Sequence, residues 1–495
     1  MPAPVDPDLD AVSAWLRARA DRVIETHIAQ VFLVGEQAYK LKKAVDLGFL
    51  DFSTREKRAW AIQRELDFNR RTAPDIYRAV EQVVRRPDGQ LAFGGQGMPL
   101  ESVLLMRRFD PEAVLSNAPE RVTGDFAEAL GRQVAGLHAG ADICRRGAGS
   151  LDYVIQSNAG HLRDLAPVLG QEAVEALIGA TQAEFDRRRT MLDARGAAGQ
   201  MRRCHGDLHL GNILEEGGRA VPFDCIEFND TLSEIDVLYD LAFLLMDLVF
   251  RGQSAGASRV LNGYLDEAAR SFDEAALRGL VLLPLYLSVR AAVRAHVNGH
   301  AGDHEAARAY VQAAIRHLSW PAPSLYAFGG LSGSGKSTAA RALAPTLGAP
   351  PGAVILRTDE IRKRLWGVGP RETLLKAAYA EGQSERVYGR MLAEARLVLD
   401  AGRCVILDAV FLKPAERAAA EALAGDVGAA FDGVWLEAPK TVLTARLDTR
   451  TGDASDADAR VLEQQLERDP GEIGWRRVSL LPGGEKEGPT RSVGG

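Results

Sequence analysis

The chain has 495 residues, 46% of them hydrophobic and 26% charged, the balance of a soluble protein long enough for two or three cores. Its net charge of −7 excludes a general nucleic-acid coat protein, and its acidic, Pro-rich start lacks the basic-then-apolar layout of a secretion signal. Four scattered cysteines, Cys144, Cys204, Cys225 and Cys404, form no CxxC pair, which argues against a disulfide framework or a cysteine-based zinc site and fits a reducing, cytoplasmic setting.

Apolar spacing at Leu9, Val12, Trp15 and Leu16 predicts a helix over 8–22. Two strands follow, 31–34 and a second through Lys42, about a turn at Gly35 and Glu36. A helix over 54–71, capped by Ser53 or Thr54, leads to a strand pair parted by the PDG at 87–89 and a further strand at 103–109. Residues 125–200 read as helical, 202–231 as a polar loop-and-strand section, and the rest as long helices to 318. No apolar run reaches membrane-spanning length; 237–250 is the most apolar stretch, and its Asp240 and Asp247 mark it as a core helix. Two prolines in 317–324 interrupt the pattern, so the expected division is a first domain over 1–318, a linker over 319–324, a second domain over 325–481 and a disordered Gly-rich tail over 482–495. In the second domain, strands near 325–329, 353–357, 404–408 and 431–436 alternate with helices, the pattern of a doubly wound parallel sheet.

The segment GLSGSGKST over 330–338 satisfies GxxxxGK[ST] between a strand and a helix. Gly330, Ser332, Gly333, Ser334, Gly335 and Thr338 belong to a loop whose N–H groups converge on phosphate oxygens, Lys336 adds a point charge, and Ser337 offers a hydroxyl to Mg²⁺. Asp408 ends an apolar strand and suits a Mg²⁺-linked position. Asp359 leaves the second strand and shares a helix face with Arg362, a pair suited to accept a hydroxyl proton and hold an anionic substrate. Arg446 and Arg450, four apart, suit a lid over the transferring phosphate. Each of these has a plainer reading as a cap or a solvated face.

The second motif is CHGDLHLGNI over 204–213, in which Asp207 and Asn212 keep the D-x-x-x-x-N spacing of a kinase catalytic loop. Asp207 would orient and deprotonate an acceptor hydroxyl, Asn212 would bind Mg²⁺, and Asp224, twelve residues on, stands where the second metal-binding aspartate belongs. His205 and His209 have the spacing of a helical zinc site, but Gly206 and Gly211 argue against a helix there and no third ligand is evident. Upstream, Lys40 or Lys42 supplies the nucleotide lysine; both project to one side of a strand, and Lys40 is preferred because it follows Ala38 and Tyr39, with Glu65 as its ion-pair partner. No GxGxxG precedes Lys40, which leaves 26–30 as the place for a phosphate-covering loop and 106–109 as an adenine-holding hinge.

Through His205, Asp207, Asn212 and Asp224 the first half, over roughly 25–250, resembles aminoglycoside phosphotransferases and related small-molecule kinases. Residues 325–470 resemble the small P-loop kinases that include polynucleotide kinase, zeta toxins and gluconate kinase. That second resemblance implies Asp359 as a general base, Arg362 as a substrate contact and Arg450 or Arg446 as the lid arginine. The order of the halves resembles bacterial proteins described as bifunctional aminoglycoside phosphotransferase/ATP-binding proteins. The implied architecture is an α+β protein-kinase-like bilobal domain followed by an α/β P-loop NTPase domain.

The expected function is ATP- and Mg²⁺-dependent phosphoryl transfer to the hydroxyl of a small molecule. One alternative makes one half a nucleotide-sensing module that gates the other. Both Asp207 and Asp359 favour two enzymes over a sensor, because a sensor needs phosphate binders but no base. Another alternative is an aminoglycoside-type antibiotic kinase, whose polycationic substrate would need carboxylates such as Asp230, Glu234, Asp236, Asp240 and Asp247.

Overall fold

The computed structural model describes residues 6–48, 50–449 and 454–479. The expected tail over 482–495 lies outside the described residues. The chain divides into two compact units, one comprising residues through Ala257 together with Leu282–Leu318, the other Ser258–Val281 with the residues from Ser319 on.

The first unit begins with α1 (Pro7–Arg17), β1 (Arg22–Glu25), β2 (Ala29–Val34), β3 (Gln37–Lys42), α2 (Arg55–Asn69), β4 (Tyr77–Arg85), β5 (Leu91–Phe93) and β6 (Met98–Arg107). These strands form an antiparallel sheet in the order β1-β2-β3-β6-β4-β5. The first helix ends at Arg17 rather than 22, because 22–25 pairs with 30–33 as an edge strand. Alternation along β3 sets the layers. Tyr39 and Leu41 join Leu9, Val12 and Leu16 of α1 on one face, while Ala38 joins Ile62 and Leu66 of α2 on the other. Lys40 and Lys42 therefore point to the α2 face. Thr54 caps α2, its hydroxyl accepting from the N–H of Lys57.

The helical part follows: α3 (Gly124–Gly140), α4 (Gly149–Asp164), α5 (Ala166–Leu169), α6 (Gln171–Ala197), β7 (Met201–Arg203), β8 (Ile213–Glu216), β9 (Arg219–Pro222), α7 (Asp230–Ser233), β10 (Glu234–Asp236) and α8 (Val237–Phe250). β7 pairs with β10, and β8 with β9, both antiparallel. α8 is apolar all round and buried from Val237 through Leu248, as such a helix must be in water. The chain continues through α9 (Ser254–Ser271) and α10 (Ala275–Gly279) to α11 (Leu283–His300) and α12 (His304–His317). One helical stretch, Ala275–His300, is long and apolar enough by composition to cross a membrane, contrary to the expectation from the sequence, but 83% of its apolar window is buried inside the protein.

The second unit contains β11 (Ser324–Gly329), α13 (Lys336–Leu343), β12 (Val354–Arg357), α14 (Thr358–Leu365), α15 (Glu381–Asp400), β13 (Val405–Asp408), α16 (Pro414–Asp426), β14 (Ala430–Glu437), α17 (Lys440–Asp448), α18 (Ala459–Leu466) and β15 (Arg476–Ser479). Its sheet is parallel throughout, in the order β12-β13-β11-β14-β15. The four expected strands are present, and β15 is an additional edge.

The excursion 258–281 belongs to this unit through specific contacts. Asn262 reaches β12 from α9, accepting from the N–H of Ile355 at 2.7 Å and donating to the carbonyl of Ala353 at 3.3 Å. Arg270 donates to the carbonyl of Val368 at 2.8 Å, and Arg390 pairs with Asp273 at 2.6 Å and Glu274 at 3.3 Å. An open parallel sheet leaves its edge N–H groups in want of partners, and Asn262 supplies one. Replacing Asn262 with Ala leaves the Ile355 N–H unpaired and should destabilise the second unit by about 1–3 kcal/mol, read as a lower urea midpoint for its unfolding; an unchanged midpoint would mean that α9 merely abuts the edge.

Candidate active sites

In the first unit, three segments distant in sequence meet on the α2 side of the sheet. Lys40 Nζ lies 2.6 Å from Glu65 Oε1 and 2.8 Å from Asp224 Oδ1. Lys42 Nζ lies 2.6 Å from the other oxygen of Glu65 and 2.5 Å from Glu227 Oε1. Glu65 is fully buried and so spans two cations. Burial alone would raise its carboxyl, but Lys40 and Lys42 outweigh that and hold it below the usual range. The two lysines, equivalent by pattern, thus differ in place: Lys40 touches Asp224, and Lys42 is sealed behind it against Glu227.

The 202–231 section turns back on itself to bring Asp207 and Asn212 together. Asn212 Nδ2 donates to the backbone oxygen and to Oδ2 of Asp207, each at 2.9 Å. Only the amide oxygen of Asn212 then remains as a donor to a cation. Residues 204–209 are not helical, and Leu210–Asn212 forms a single 3₁₀ turn, which removes the helical geometry behind a His205–His209 zinc pair. His205 instead meets the carbonyl of Phe223 through Nε2 at 2.9 Å. His209 Nδ1 accepts from the N–H of Gly211, so Nε2 carries the hydrogen and faces Asp207 Oδ2 at 3.5 Å. Burial raises the Asp207 carboxyl, but His209 and then His205 outweigh it and keep the group ionised well below its ordinary range. The side chain remains 37% exposed, open to a substrate.

Asp224 takes a left-handed backbone (φ +60°), uncommon for a residue with a side chain. Its N–H donates to the hydroxyl of Tyr77 at 3.0 Å, and the next N–H, of Cys225, to Asn69 Oδ1 at 3.0 Å. The turn is therefore held from both sides, and its carboxylate is 45% exposed. The amide oxygen of Asn212 and the carboxylate of Asp224 are hard donors of the kind Mg²⁺ takes. The hairpin turn between β1 and β2 falls at 26–28, within the 26–30 span expected for a phosphate-covering loop, whose last two residues already belong to β2.

The five carboxylates considered for a polycationic substrate are already engaged. Asp230 pairs with Arg64 and Arg203, and Glu234 with Arg146 and Arg203. Asp236 pairs with Arg195 and caps α8. Asp247 accepts from the N–H of Leu210 at 3.0 Å and pairs with Arg251. Asp240 accepts from the N–H groups of His205 at 3.1 Å and Gly206 at 2.8 Å and meets His138 at 3.1 Å. It braces the loop that carries Asp207.

In the second unit, a cleft of about 730 Å³ is lined by Lys336, Ser337, Asp359, Arg362, Asp408 and Arg446 among others. Gly330 (φ +133°) and Gly333 (φ +83°) shape it: a Cβ at Gly330 would lie 2.3 Å from the carbonyl oxygen of Leu436, and one at Gly333 2.8 Å from that of Leu443. Lys336 Nζ donates to the carbonyls of Gly330 and Leu331 at 2.8 and 2.9 Å. Ser334 Oγ is buried without a hydrogen-bond partner, a polar atom that suits a loop built around phosphate oxygens. Ser337 Oγ donates to Asp408 Oδ2 at 2.6 Å, bringing together the two expected metal-linked groups.

Arg357, unassigned by sequence reasoning, braces this pair: its Nε donates to Asp408 Oδ2 and its Nη2 to Ser337 Oγ, both at 3.1 Å. Asp359 and Arg362 line the same cleft, but Arg362 turns away along it, donating to the carbonyl of Ala378 at 2.6 Å and stacking over Tyr379 at 4.8 Å. Arg446 donates to the carbonyl of Gly333 at 3.3 Å, so α17 reaches the phosphate loop. Arg450 lies outside the described residues. Two further contacts had no motif to announce them. Gln465 accepts from the N–H of Ser332 at 2.8 Å, and Asp456 accepts from the Tyr379 hydroxyl at 2.7 Å.

Residues 34–280 match the phosphotransferase enzyme family and residues 325–469 an AAA domain. Uncharacterized proteins of Mycobacterium tuberculosis and Mycobacterium bovis are 33% identical over 457 residues, 89% of this chain and 88% of theirs. A gluconokinase structure from Sinorhizobium meliloti is 25% identical, covering 32% of this chain and 82% of its own at a TM-score of 0.22. An ethanolamine kinase structure from Plasmodium vivax is 8% identical, covering 60% of this chain and 80% of its own at a TM-score of 0.36.

Replacing Asp240 with Ala strands the buried N–H groups of His205 and Gly206, each at a cost of about 1–3 kcal/mol. The expected result is a destabilised first unit whose turnover falls with its stability, whereas Asp240→Asn, which keeps one acceptor, loses less of both in the same melting and turnover measurements.

Proposed function

The chain belongs to a family of enzymes in which a phosphotransferase domain precedes a P-loop kinase domain, and on that premise we propose that both units transfer the terminal phosphoryl group of ATP to hydroxyl groups of small molecules. The observation that carries this reading is an accessible carboxylate in each unit, Asp207, 37% exposed, in the first and Asp359, on the wall of the cleft, in the second, beside the groups expected to hold phosphate and metal. Phosphate binding alone gives no use for either carboxylate.

In the first unit, Lys40, held by Glu65, supplies a fixed positive charge for the nucleotide phosphates, and Asn212 and Asp224 are the groups that would hold Mg²⁺. Asp207, kept ionised by His209, orients the acceptor hydroxyl and takes its proton. In the second unit, the loop over 330–338 and Lys336 cradle phosphate oxygens, Ser337 and Asp408 are the metal-linked pair, and Asp359 is the proton acceptor. Arg362 and Arg446 add positive charge along that cleft. Mg²⁺, when bound, neutralises phosphate charge as it develops. The internal pairing of Asp230, Glu234, Asp236, Asp240 and Asp247 weighs against a polycationic acceptor.

The test is Mg²⁺-dependent ATP turnover with a small-metabolite extract. Asp207→Ala should remove one extract-stimulated component by about 10²–10⁴-fold and Asp359→Asn a different one, while Lys336→Ala abolishes the second alone. If Lys336→Ala removes all turnover and Asp207→Ala none, the first unit is a nucleotide sensor and the proposal fails for it.

A further inference from the structure

The helical part of the first unit carries a cluster of three histidines that phosphoryl transfer does not use. His161 lies near the end of α4, and His296 and His300 lie one turn apart on α11. One ring nitrogen of each is within 4.8 Å of one from each of the others. His161 Nδ1 and His300 Nε2 stand 3.3 Å apart, and the His161 ring stacks on that of His296 with centroids 4.7 Å apart. Two nitrogens bound at about 2.0–2.1 Å to one tetrahedral zinc ion are separated by about 3.3–3.4 Å. His161 and His300 already hold that separation. Paired histidines at i and i+4 present two ligands from one helix face, and the third comes from the helix packed against it.

The surroundings of His296 favour the same role. Asn158 donates its amide N–H to the carbonyl of Val289 at 3.2 Å, which turns its oxygen toward His296 Nε2, also at 3.2 Å. In that orientation Nε2 carries the hydrogen and Nδ1 keeps its lone pair. Holding a ligand histidine by its other ring nitrogen is how proteins orient metal-binding imidazoles. The other such cluster among the described residues, His138, Cys204 and Asp240, has no such opening, because Asp240 is occupied by the N–H groups of His205 and Gly206.

We infer that His161, His296 and His300 bind a divalent transition-metal ion of the zinc class and so tie α4 to α11. Three imidazoles without a carboxylate suit such an ion and not Mg²⁺ or Ca²⁺. The partly exposed rim at His300 leaves room for water to complete the coordination.

The experiment uses the full-length protein, stripped with a chelator and titrated with Zn²⁺, and with Co²⁺ as a visible-absorption probe. Wild type should bind one ion that raises its melting temperature and gives a Co²⁺ d–d band of tetrahedral intensity. His300→Gln, an exposed change the fold should tolerate, and His161→Gln should each weaken that binding by at least about tenfold and lose the band. Equal Zn²⁺ affinity in wild type and the His161→Gln/His300→Gln double variant, or no Zn²⁺ bound by well-folded wild type at micromolar concentration, would overturn the inference.

Discussion

A charged carboxylate with no exposure to water must be answered by cations or hydrogen-bond donors, or it gives up its charge. Glu65 is in that position and is answered twice, by Lys40 and Lys42. Those lysines belong to β3, Glu65 to α2, and their remaining partners, Asp224 and Glu227, to the loop after β9. The ion-paired set can be assembled only if sheet, helix and loop reach their final positions together. Asp224 is thereby presented beside Lys40 on a strained turn, its carboxylate 45% exposed. The second unit has a smaller counterpart, in which buried Arg357 joins Asp408 to Ser337 and locks the end of one strand to the start of the phosphate-loop helix.

Motifs whose members lie close in sequence were legible in the sequence. The spacing of Asp207 to Asn212 returns as a pair of 2.9 Å hydrogen bonds, and the phosphate loop lies between β11 and α13 as its pattern requires. Partners far apart in sequence were not legible. Glu227 lies 185 positions from Lys42, and Gln465 lies 133 from Ser332. Nothing local marks either residue, although two lysines on one buried strand face implied that a second carboxylate had to exist. The edge strands β1 and β15 escaped notice for a related reason. They are four residues each and largely exposed, so they lack the apolar alternation that announces a half-buried strand. The assignment of 258–281 to the second unit depends on single polar contacts such as Asn262 to Ile355, which leave no periodicity to read.

The same distinction bears on specificity. Clustered acidic residues in 230–247 suggest a site for a cation when read along the chain. In three dimensions each is taken by an arginine or a backbone N–H, and Asp240 and Asp247 hold the loop that carries Asp207. Side chains that stay accessible beside the motifs include Asp207 next to His209 in the first unit and Asp359, Arg362 and Tyr379 along the cleft of the second.

The central claim is that one chain carries two separate nucleotide sites, and the most direct measurement is the binding stoichiometry of a non-hydrolysable ATP analogue with Mg²⁺ by calorimetry. The account predicts two analogues per wild-type chain, one per chain for Lys336→Ala and one per chain for Lys40→Ala. A single analogue per wild-type chain, abolished by Lys336→Ala and untouched by Lys40→Ala, would contradict it.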